Sequence, residues 1–281
     1  MKERLAKKPA IVDALIPSFA VGCRRLTPGP GYLEALVEDN VEFVSAPIEE
    51  ITPTGITLGD GRSFEIDALV CATGFKAAGS NPPPFAVVGK GGKSLQDRFT
   101  PYAETYLTMT VDGFPNFFMM LGPNSAIGSG SLTMILETEG DYIVKCIRKL
   151  QKEDYISMMP KLSLVRDFSE YCVEYFKSTV YMDECNSWYR SEGGKGDRIT
   201  GLWPGSTLHC LESLRAPRWE DYEFESVTSG NRLRWLGNGW SVTHEEGGGD
   251  PAWYLEPGLM DVPTKGRPED DENLSRRPFS H

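Results

Sequence analysis

The sequence predicts an α/β protein in which short strands precede a helical C-terminal part. Residues 67–75, DALVCATGF, contain an unbroken apolar run, which is typical of a parallel strand buried on both faces. A Thr-Gly pair follows this run, at the strand end where open α/β sheets bind ligands. A glycine-rich loop at 122–132 then leads into a long helical pattern, so a second loop-to-helix junction is available for ligand binding.

The N-terminal part predicts two helices and a small set of strands. Apolar residues at helical spacing predict a helix over 2–15, and a TPGPG turn precedes a short helix over 31–38. A turn at Asp60 and Gly61 indicates a hairpin. The predicted strands are 41–44, 48–51, 55–58 and 63–66.

Downstream, residues 76–100 are rich in glycine and proline and predict a crossing between domains. Strands are predicted at 105–111 and 116–121, and long helices at about 132–152 and 164–180. The acidic, glycine- and proline-rich stretch from about residue 247 predicts a frayed or disordered end.

Composition argues against several classes of partner. A formal net charge of −11 disfavours nucleic acid or an anionic membrane surface, and the sequence has no apolar run of about 18 residues that could span a bilayer. Six scattered cysteines without a C-x-x-C, together with three histidines, argue against a metal site. They predict reduced, mostly structural thiols in a cytoplasmic protein.

The individual motifs leave both structural and functional interpretations open. The ATG turn at 72–74 and the loop at 122–132 suit either ordinary turns or ligand loops, and Arg24–Arg25 suit a solvated corner. His209 is more readily a structural hydrogen-bonding residue than a base, and Glu137 and Glu139 are expected to face solvent. Three G-x-G-x-x-G candidates lack the third glycine and one P-loop candidate lacks the first: residues 29–34, 128–133, 237–242 and 89–94.

Six stretches occur in a recognisable order: IPSFAVGCRRLTPGPGYLEAL, NVEFV, ITPTGITLGDG, IDALVCATGF, GFPNFFMMLGPNS and CNSWYR…GLWPGS. Together they resemble the C-terminal half of class B flavoprotein monooxygenases, and more narrowly the fungal Baeyer–Villiger type. The glycine motifs of that family's two dinucleotide-binding domains, and its F-x-G-x-x-x-H-x-x-x-W signature, have no match in the sequence. The resemblance therefore implies a truncated enzyme.

The resemblance implies a partial two-dinucleotide-binding-domain, Rossmann-like flavoprotein with a helical C-terminal part. Residues 1–75 would end the NADPH-binding domain, and 76–225 would form the C-terminal part of the FAD-binding domain. Residues 226–281 would be a partly disordered extension. The implied activity uses FAD and NADPH to insert oxygen into a small-molecule ketone, giving an ester or lactone, in secondary metabolism.

The resemblance also implies residue roles. Arg25 would be the active-site arginine, because a guanidinium keeps its charge when desolvated and can stabilise negative charge that develops on oxygen. Arg24 would meet the 2′-phosphate of NADPH, while Ile127 and Gly128 would line the substrate pocket. The other implied cofactor-binding positions are Thr73, Gly74, Asn124, Leu132 and Trp188.

Two other interpretations remain open. The chain could be an inactive remnant or a non-catalytic half-enzyme that associates with another chain, because strands without their neighbours would expose sheet edges and apolar faces. A flavin- or pyridine-nucleotide disulfide reductase also contains ATG turns, but the missing C-x-x-C argues against that class.

Overall fold

The computed structural model describes residues 1–27, 29–74, 83–183, 186–227, 229–240 and 252–255. By contacts the chain separates into two units, Met1–Val227 and Thr228–His281. The described part of the second unit contains 3-10 turns at Arg234–Leu236 and Trp253–Leu255. Within the described residues, no helix has the length and apolar character needed to cross a membrane. The frayed end predicted from residue 247 lies almost wholly outside the described residues.

The predicted N-terminal helix over 2–15 is divided into shorter pieces. Two 3-10 turns, Glu3–Leu5 and Pro9–Ile11, precede helix α1 at Val12–Leu15. Pro9 has no N–H to donate to the preceding turn, which explains the break. The second predicted helix is present as α2, Tyr32–Leu36, and its Leu33 packs with Leu5 in a small separate core.

Three of the four predicted N-terminal strands form an antiparallel sheet in the order β1-β2-β3. Its strands are β1 Ile48–Thr52, β2 Gly55–Leu58 and β3 Ser63–Glu65. The strand predicted at 41–44 is wrong, because these residues have no strand assignment and follow a turn at 37–40. The Val41 N–H bonds to the Glu38 carbonyl at 3.2 Å, and Lys8 Nζ donates to the Val41 carbonyl at 2.6 Å.

The buried strand predicted at 67–75 is also wrong for the described residues 67–74. This segment has no strand assignment, and Leu69 and Val70 are 42% and 86% exposed. A strand buried on both faces needs a hydrogen-bonded neighbour on each side, and no described strand pairs with this one. Phe75 lies outside the described residues.

The strands predicted at 105–111 and 116–121 are both wrong: residues 105–111 form a buried turn, and residues 116–121 have no strand assignment and expose Met120 and Leu121. Tyr106 N–H bonds to the Thr110 carbonyl at 2.7 Å, closing a tight turn. Leu107 and Thr108 have φ values of 46° and 68°, which an extended strand does not allow. The segment is still part of the core, since Met109 is fully buried.

The C-terminal half of the first unit is built on two long helices and a two-stranded sheet. Helix α4, Leu132–Lys152, has the predicted bounds, and Ser131 caps its N-terminus by accepting from the Met134 N–H. Helix α5, predicted to reach residue 180, ends at Phe176, where a 3-10 turn at Val180–Met182 takes over. The remaining elements are α3 Leu95–Arg98, β4 Tyr155–Pro160, α5 Leu162–Phe176, α6 Ser191–Gly194, α7 Thr207–Ser213 and β5 Tyr222–Ser226.

The main core lies between α4, α5 and the β4-β5 sheet. Ile135 and Tyr142 of α4 pack in one cluster with Val165 of α5 and Met158 of β4. Strands β4 and β5 are antiparallel, with Met158 opposite Phe224, and the sequence patterns did not reveal them.

The five cysteines that the structure describes are in two chemical states. Cys146, Cys172 and Cys210 are buried free thiols, and burial raises the pKa of each to about 12, so they remain protonated and unreactive at neutral pH. Cys71 is an exposed free thiol. Cys23 is disulfide-bonded, so the expectation of reduced thiols does not hold for that residue.

Candidate active site

The arginine pair connects the N-terminal segment with two distant loops. Arg25 Nη2 donates to the main-chain carbonyl of Ile127 at 3.0 Å. Arg24 donates to the main-chain carbonyl of Asn186, and its guanidinium lies 5.0 Å from the centre of the Phe19 ring. Both guanidinium groups are therefore oriented by the fold.

Two cavities lie beside the pair, with volumes of about 640 Å³ and about 400 Å³. Arg24, Arg25 and Tyr189 line both of them. The larger cavity is also lined by Gly22, Leu26, Gly128, Ser129, Gly130, Tyr181, Gly205, Ser206 and Thr207. The smaller cavity is also lined by Asn186, Ser187 and Trp188. The two cationic side chains thus face both spaces from one short segment.

Three chain segments behind the cavities are joined by main-chain hydrogen bonds, and we call them the three-segment frame: residues 124–127, 187–190 and 199–203. Ala126 N–H donates to the Gly201 carbonyl at 2.9 Å, and Gly201 N–H donates to the Tyr189 carbonyl at 2.9 Å. An antiparallel bridge between Arg190 and Ile199 closes the base of the intervening loop. The carbonyl that holds Arg25 and the ring of Tyr189 are consequently fixed to the same frame.

Two glycines allow the loop at 122–132 to approach its neighbours closely. A Cβ on Gly128 would lie 2.4 Å from the Tyr181 hydroxyl, and one on Gly130 would lie 2.4 Å from Thr207 Oγ1. Thr207 Oγ1 donates to the Ser129 carbonyl at 2.5 Å, which fastens this loop to helix α7. The glycine-rich sequence therefore has a packing reason at these two positions.

The structure brings four of the sequence-predicted site residues together: Arg24, Arg25, Gly128 and Trp188. Ile127 contributes its carbonyl to Arg25, but its side chain is buried in the main core and does not line either cavity. Substrate contact by the Ile127 side chain is therefore not supported by its position.

Asn124 and Leu132 serve the fold rather than the cavity surface. Asn124 is buried, and its Nδ2 donates to the carbonyls of Ile199 and Leu202 at 2.8 and 3.0 Å. Leu132 packs against the main core at the start of α4. Neither residue lines a cavity, so the cofactor-binding roles of Asn124 and Leu132 stay predictions.

Thr73 and Gly74 are exposed and line neither cavity. Gly74 has a φ of 84°, so the turn after the apolar run does require a glycine-type conformation. Their predicted role in dinucleotide binding stays a prediction.

Sequence reasoning missed two tyrosines in the site. Tyr181 and Tyr189 pack edge to face with ring centres 5.8 Å apart. Burial raises the pKa of both hydroxyls, and at Tyr189 the charge of Arg25 opposes that effect. Both phenols therefore remain neutral at pH 7. The aromatic cluster in YMDECNSWYR was the only sequence signal for them.

His209 and Glu139 have structural contacts near the site. Trp203 Nε1 donates to His209 Nδ1 at 3.0 Å, as expected for a structural histidine. Glu139 was expected to face solvent, but it is fully buried. It accepts from Leu121 N–H at 2.9 Å and from Thr108 Oγ1 at 3.2 Å, and desolvation raises its pKa. Its side chain fixes the start of the loop at 122–132 because helical spacing turns position 139 towards the core.

No group of three or more acidic, histidine or cysteine side chains in the described ranges is arranged to hold a metal ion.

Comparison with known proteins shows one consistent group of relatives. The chain is 39% identical over 256 residues to the FAD-binding monooxygenase tazF of Aspergillus terreus, covering 91% of this chain and 45% of that protein. It is 34% identical over 261 residues to the FAD-binding monooxygenase moxY of Dothistroma septosporum, covering 88% of this chain and 41% of that protein. The chain thus spans less than half the length of these relatives. No protein-family model matches it.

Solved structures give the same result for the fold. A steroid monooxygenase bound to NADP superposes with a TM-score of 0.68 at 26% identity, covering 80% of this chain and 44% of that one. OTEMO in complex with FAD and NADP superposes with a TM-score of 0.69 at 25% identity, covering 79% of this chain and 42% of that one. These neighbours establish the Rossmann-like flavoprotein fold class that the sequence resemblance implied.

Proposed function

Because this chain is homologous to FAD-binding monooxygenases over 41–45% of their length, we propose that it forms the arginine-bearing side of a Baeyer–Villiger active site. The proposed reaction uses a ketone, O₂, NADPH and a proton to give an ester or lactone, NADP⁺ and water. The observation that carries the proposal is the position of Arg25, which is held by the Ile127 carbonyl at the edge of the 640 Å³ cavity. A role in secondary metabolism follows from the resemblance.

The described residues fit part of the cofactor requirement. Two guanidinium groups, the Ser187 side chain and a 400 Å³ space suit a phosphate group and its attached nucleoside. No complete G-x-G-x-x-G occurs in the sequence, so the FAD diphosphate would need to be held by other groups. The described residues therefore suit the 2′-phosphate of NADPH and the part of the site where the ketone would react, but not the FAD diphosphate.

Bound FAD would supply the activation of O₂, and NADPH would supply the reducing hydride. Arg25 would then place a permanent positive charge beside the ketone carbonyl. The hydrogen bond to Ile127 uses one N–H of the guanidinium and leaves others for the substrate oxygen. A cation that is already oriented needs little rearrangement when negative charge develops on that oxygen, so it lowers the barrier.

The neighbouring residues have supporting roles in this proposal. Arg24, held by the Asn186 carbonyl, would bind the 2′-phosphate and offset the repulsion expected from an acidic chain. Trp188 is half-exposed and stacks at a tilt on Tyr189, with ring centres 4.6 Å apart. Its exposed indole face would cover the bound nucleotide and exclude water from the cavity.

The test is reconstitution of the purified chain with FAD, NADPH and a ketone. We expect absorbance of bound flavin near 450 nm, NADPH oxidation, and a product 16 mass units heavier than the ketone. Arg25→Ala should abolish product formation, while the exposed control Arg215→Ala should retain it. A protein that stays colourless with added FAD contradicts catalysis by this chain.

A second candidate function is non-catalytic association with another chain. The exposed apolar residues Leu69 and Val70 favour it, because such side chains are commonly covered by a partner. Among the described residues, strand β1 lies at an edge of its sheet, where it exposes Ile48 and Ile51. Light scattering should then show a dimer or larger species that Val70→Asp dissociates. A monomer at all concentrations contradicts self-association.

A further inference from the structure

We propose that the Tyr181 hydroxyl is a specificity-determining hydrogen-bond donor to an oxygen atom of the molecule that fills the cavity beside Arg25. The inference rests on the proposed function for the identity of the ligand as a ketone. It adds a second requirement, namely an oxygen substituent apart from the reacting carbonyl.

The backbone and the ring of Tyr181 are both fixed by neighbouring residues. Arg190 Nη2 donates to the Tyr181 carbonyl at 3.1 Å and to the Asp183 carbonyl at 2.9 Å. The Tyr181 ring packs edge to face on Phe176 and on Tyr189, with ring centres 6.0 and 5.8 Å apart. A ring fixed on its backbone and on two sides presents its hydroxyl in one direction.

That direction is towards the glycine loop that lines the cavity. The hydroxyl lies 2.4 Å from the place that a Cβ on Gly128 would occupy, so only a glycine leaves it room. Both residues line the 640 Å³ cavity together with Arg25. The loop sequence and the tyrosine are therefore matched to each other at the cavity wall.

Two of the other hydroxyls at this wall, those of Thr207 and Ser206, have protein partners. Thr207 Oγ1 donates to the Ser129 carbonyl, and Ser206 Oγ accepts from the His209 N–H at 3.2 Å. The Tyr181 hydroxyl has no hydrogen bond to any residue in the described ranges. Burial and the nearby Tyr175 raise its pKa, so the phenol keeps its proton as a donor.

The predicted effect is selective binding. One neutral hydrogen bond in a partly desolvated site changes affinity by about threefold to tenfold. We therefore expect the chain to bind 6-hydroxy-2-tetralone and 6-methoxy-2-tetralone more tightly than 2-tetralone. The ether oxygen can only accept, so tighter binding of the ether requires a donor from the protein.

The experiment is isothermal titration calorimetry of the full chain with these three ketones, with and without added FAD. Tyr181→Phe should lose the preference for the two oxygen-bearing ketones and bind 2-tetralone within about twofold of wild type. The matched control is Tyr175→Phe, whose ring also packs on Phe176 but which lines neither cavity. This control should keep the preference.

Several results would overturn the assignment. They are equal affinity of wild type for all three ketones, no binding of any of them, or an equal loss for all three in Tyr181→Phe. The comparison of hydroxy, methoxy and plain ketones uses only wild type, so equal affinities would overturn the assignment even if the variant does not fold. Selective binding without flavin binding or NADPH oxidation would remove the monooxygenase proposal and leave the role of Tyr181 intact.

Discussion

Arg25 and Ile127 are joined by a hydrogen bond of 3.0 Å across 102 positions of sequence. The bond fixes a charged side chain to the main chain of a buried residue, so position 127 contributes its carbonyl, rather than its side chain, to the arginine. The loop at 122–132 therefore controls the arginine through its backbone path.

We expect Arg25→Lys to be a poor replacement for arginine. A lysine ammonium is a compact charge without the planar fork, so it cannot bind the Ile127 carbonyl and a ligand oxygen in the same geometry. Product formation in the reconstituted system should fall by about 100-fold or more, which is the scale for loss of one oriented donor. Measurement of NADPH oxidation alongside product separates loss of oxygenation from loss of flavin reduction; equal product yields from both proteins would refute the role.

Gly128→Ala should destabilise the fold through one identified contact. The added Cβ would lie 2.4 Å from the Tyr181 hydroxyl, and overpacking of this kind costs about 1–3 kcal/mol. Tyr181→Phe removes the clashing oxygen, so the double variant should recover most of the lost free energy of unfolding. Urea denaturation of the four proteins gives the coupling free energy. Simple additivity of the two single effects would show that the contact is not the cause.

Asn124 combines a left-handed backbone with a buried amide, and the two effects can be separated. Its φ is 62°, and its Nδ2 satisfies the carbonyls of Ile199 and Leu202. Asn124→Gly should lower the free energy of unfolding by about 1–3 kcal/mol because those buried carbonyls lose a donor. Asn124→Ala should cost about 1 kcal/mol more, since alanine is strained at this φ. Chemical denaturation measures the free energy of unfolding of both variants. If Asn124→Gly is less stable than Asn124→Ala, the left-handed backbone is not the cause of the difference.

Glu139→Gln should change how stability depends on pH. Burial raises the pKa of Glu139 above its ordinary value of 4.5, so between these values the folded state binds more protons than the unfolded state. Wild type should therefore lose free energy of unfolding as pH rises from about 4.5 through the raised pKa. The glutamine variant can still accept from the Leu121 N–H through its amide oxygen, and its amide N–H can donate to the Thr108 hydroxyl, without this loss.

The control for that experiment is Glu137→Gln, an exposed carboxylate on the same helix. Its pH profile should follow wild type, whereas the Glu139→Gln profile should diverge in favour of the variant as pH rises. Parallel profiles for all three proteins would mean that Glu139 ionises without cost in the folded state.

Sequence patterns correctly predicted those elements that are determined by residues close together in the sequence. Helix α4 has its predicted bounds, because Ser131 caps it and its apolar face repeats at helical spacing. The small sheet followed from a turn at Asp60 and Gly61. The prediction of one helix over 2–15 was wrong at Pro9, although the sequence already showed that this residue has no N–H to donate.

The same patterns could not predict contacts between residues that are far apart in the sequence. The apolar run at 67–75 showed that burial is possible but not which segment would cover it, and Val70 lies exposed. Strands β4 and β5 pair Tyr155 with Ser226, far apart in sequence. The arginine pair was found through the order of motifs, whereas Tyr181 was missed because only the folded chain brings it to Gly128.

The bridge between Arg190 and Ile199 has a practical consequence for labelling. It closes the loop at 191–198 at its base, and Glu192 and Gly193 at the tip are exposed. A short peptide tag inserted at Gly193 would project from the surface without shifting Tyr189 or the carbonyl that holds Arg25.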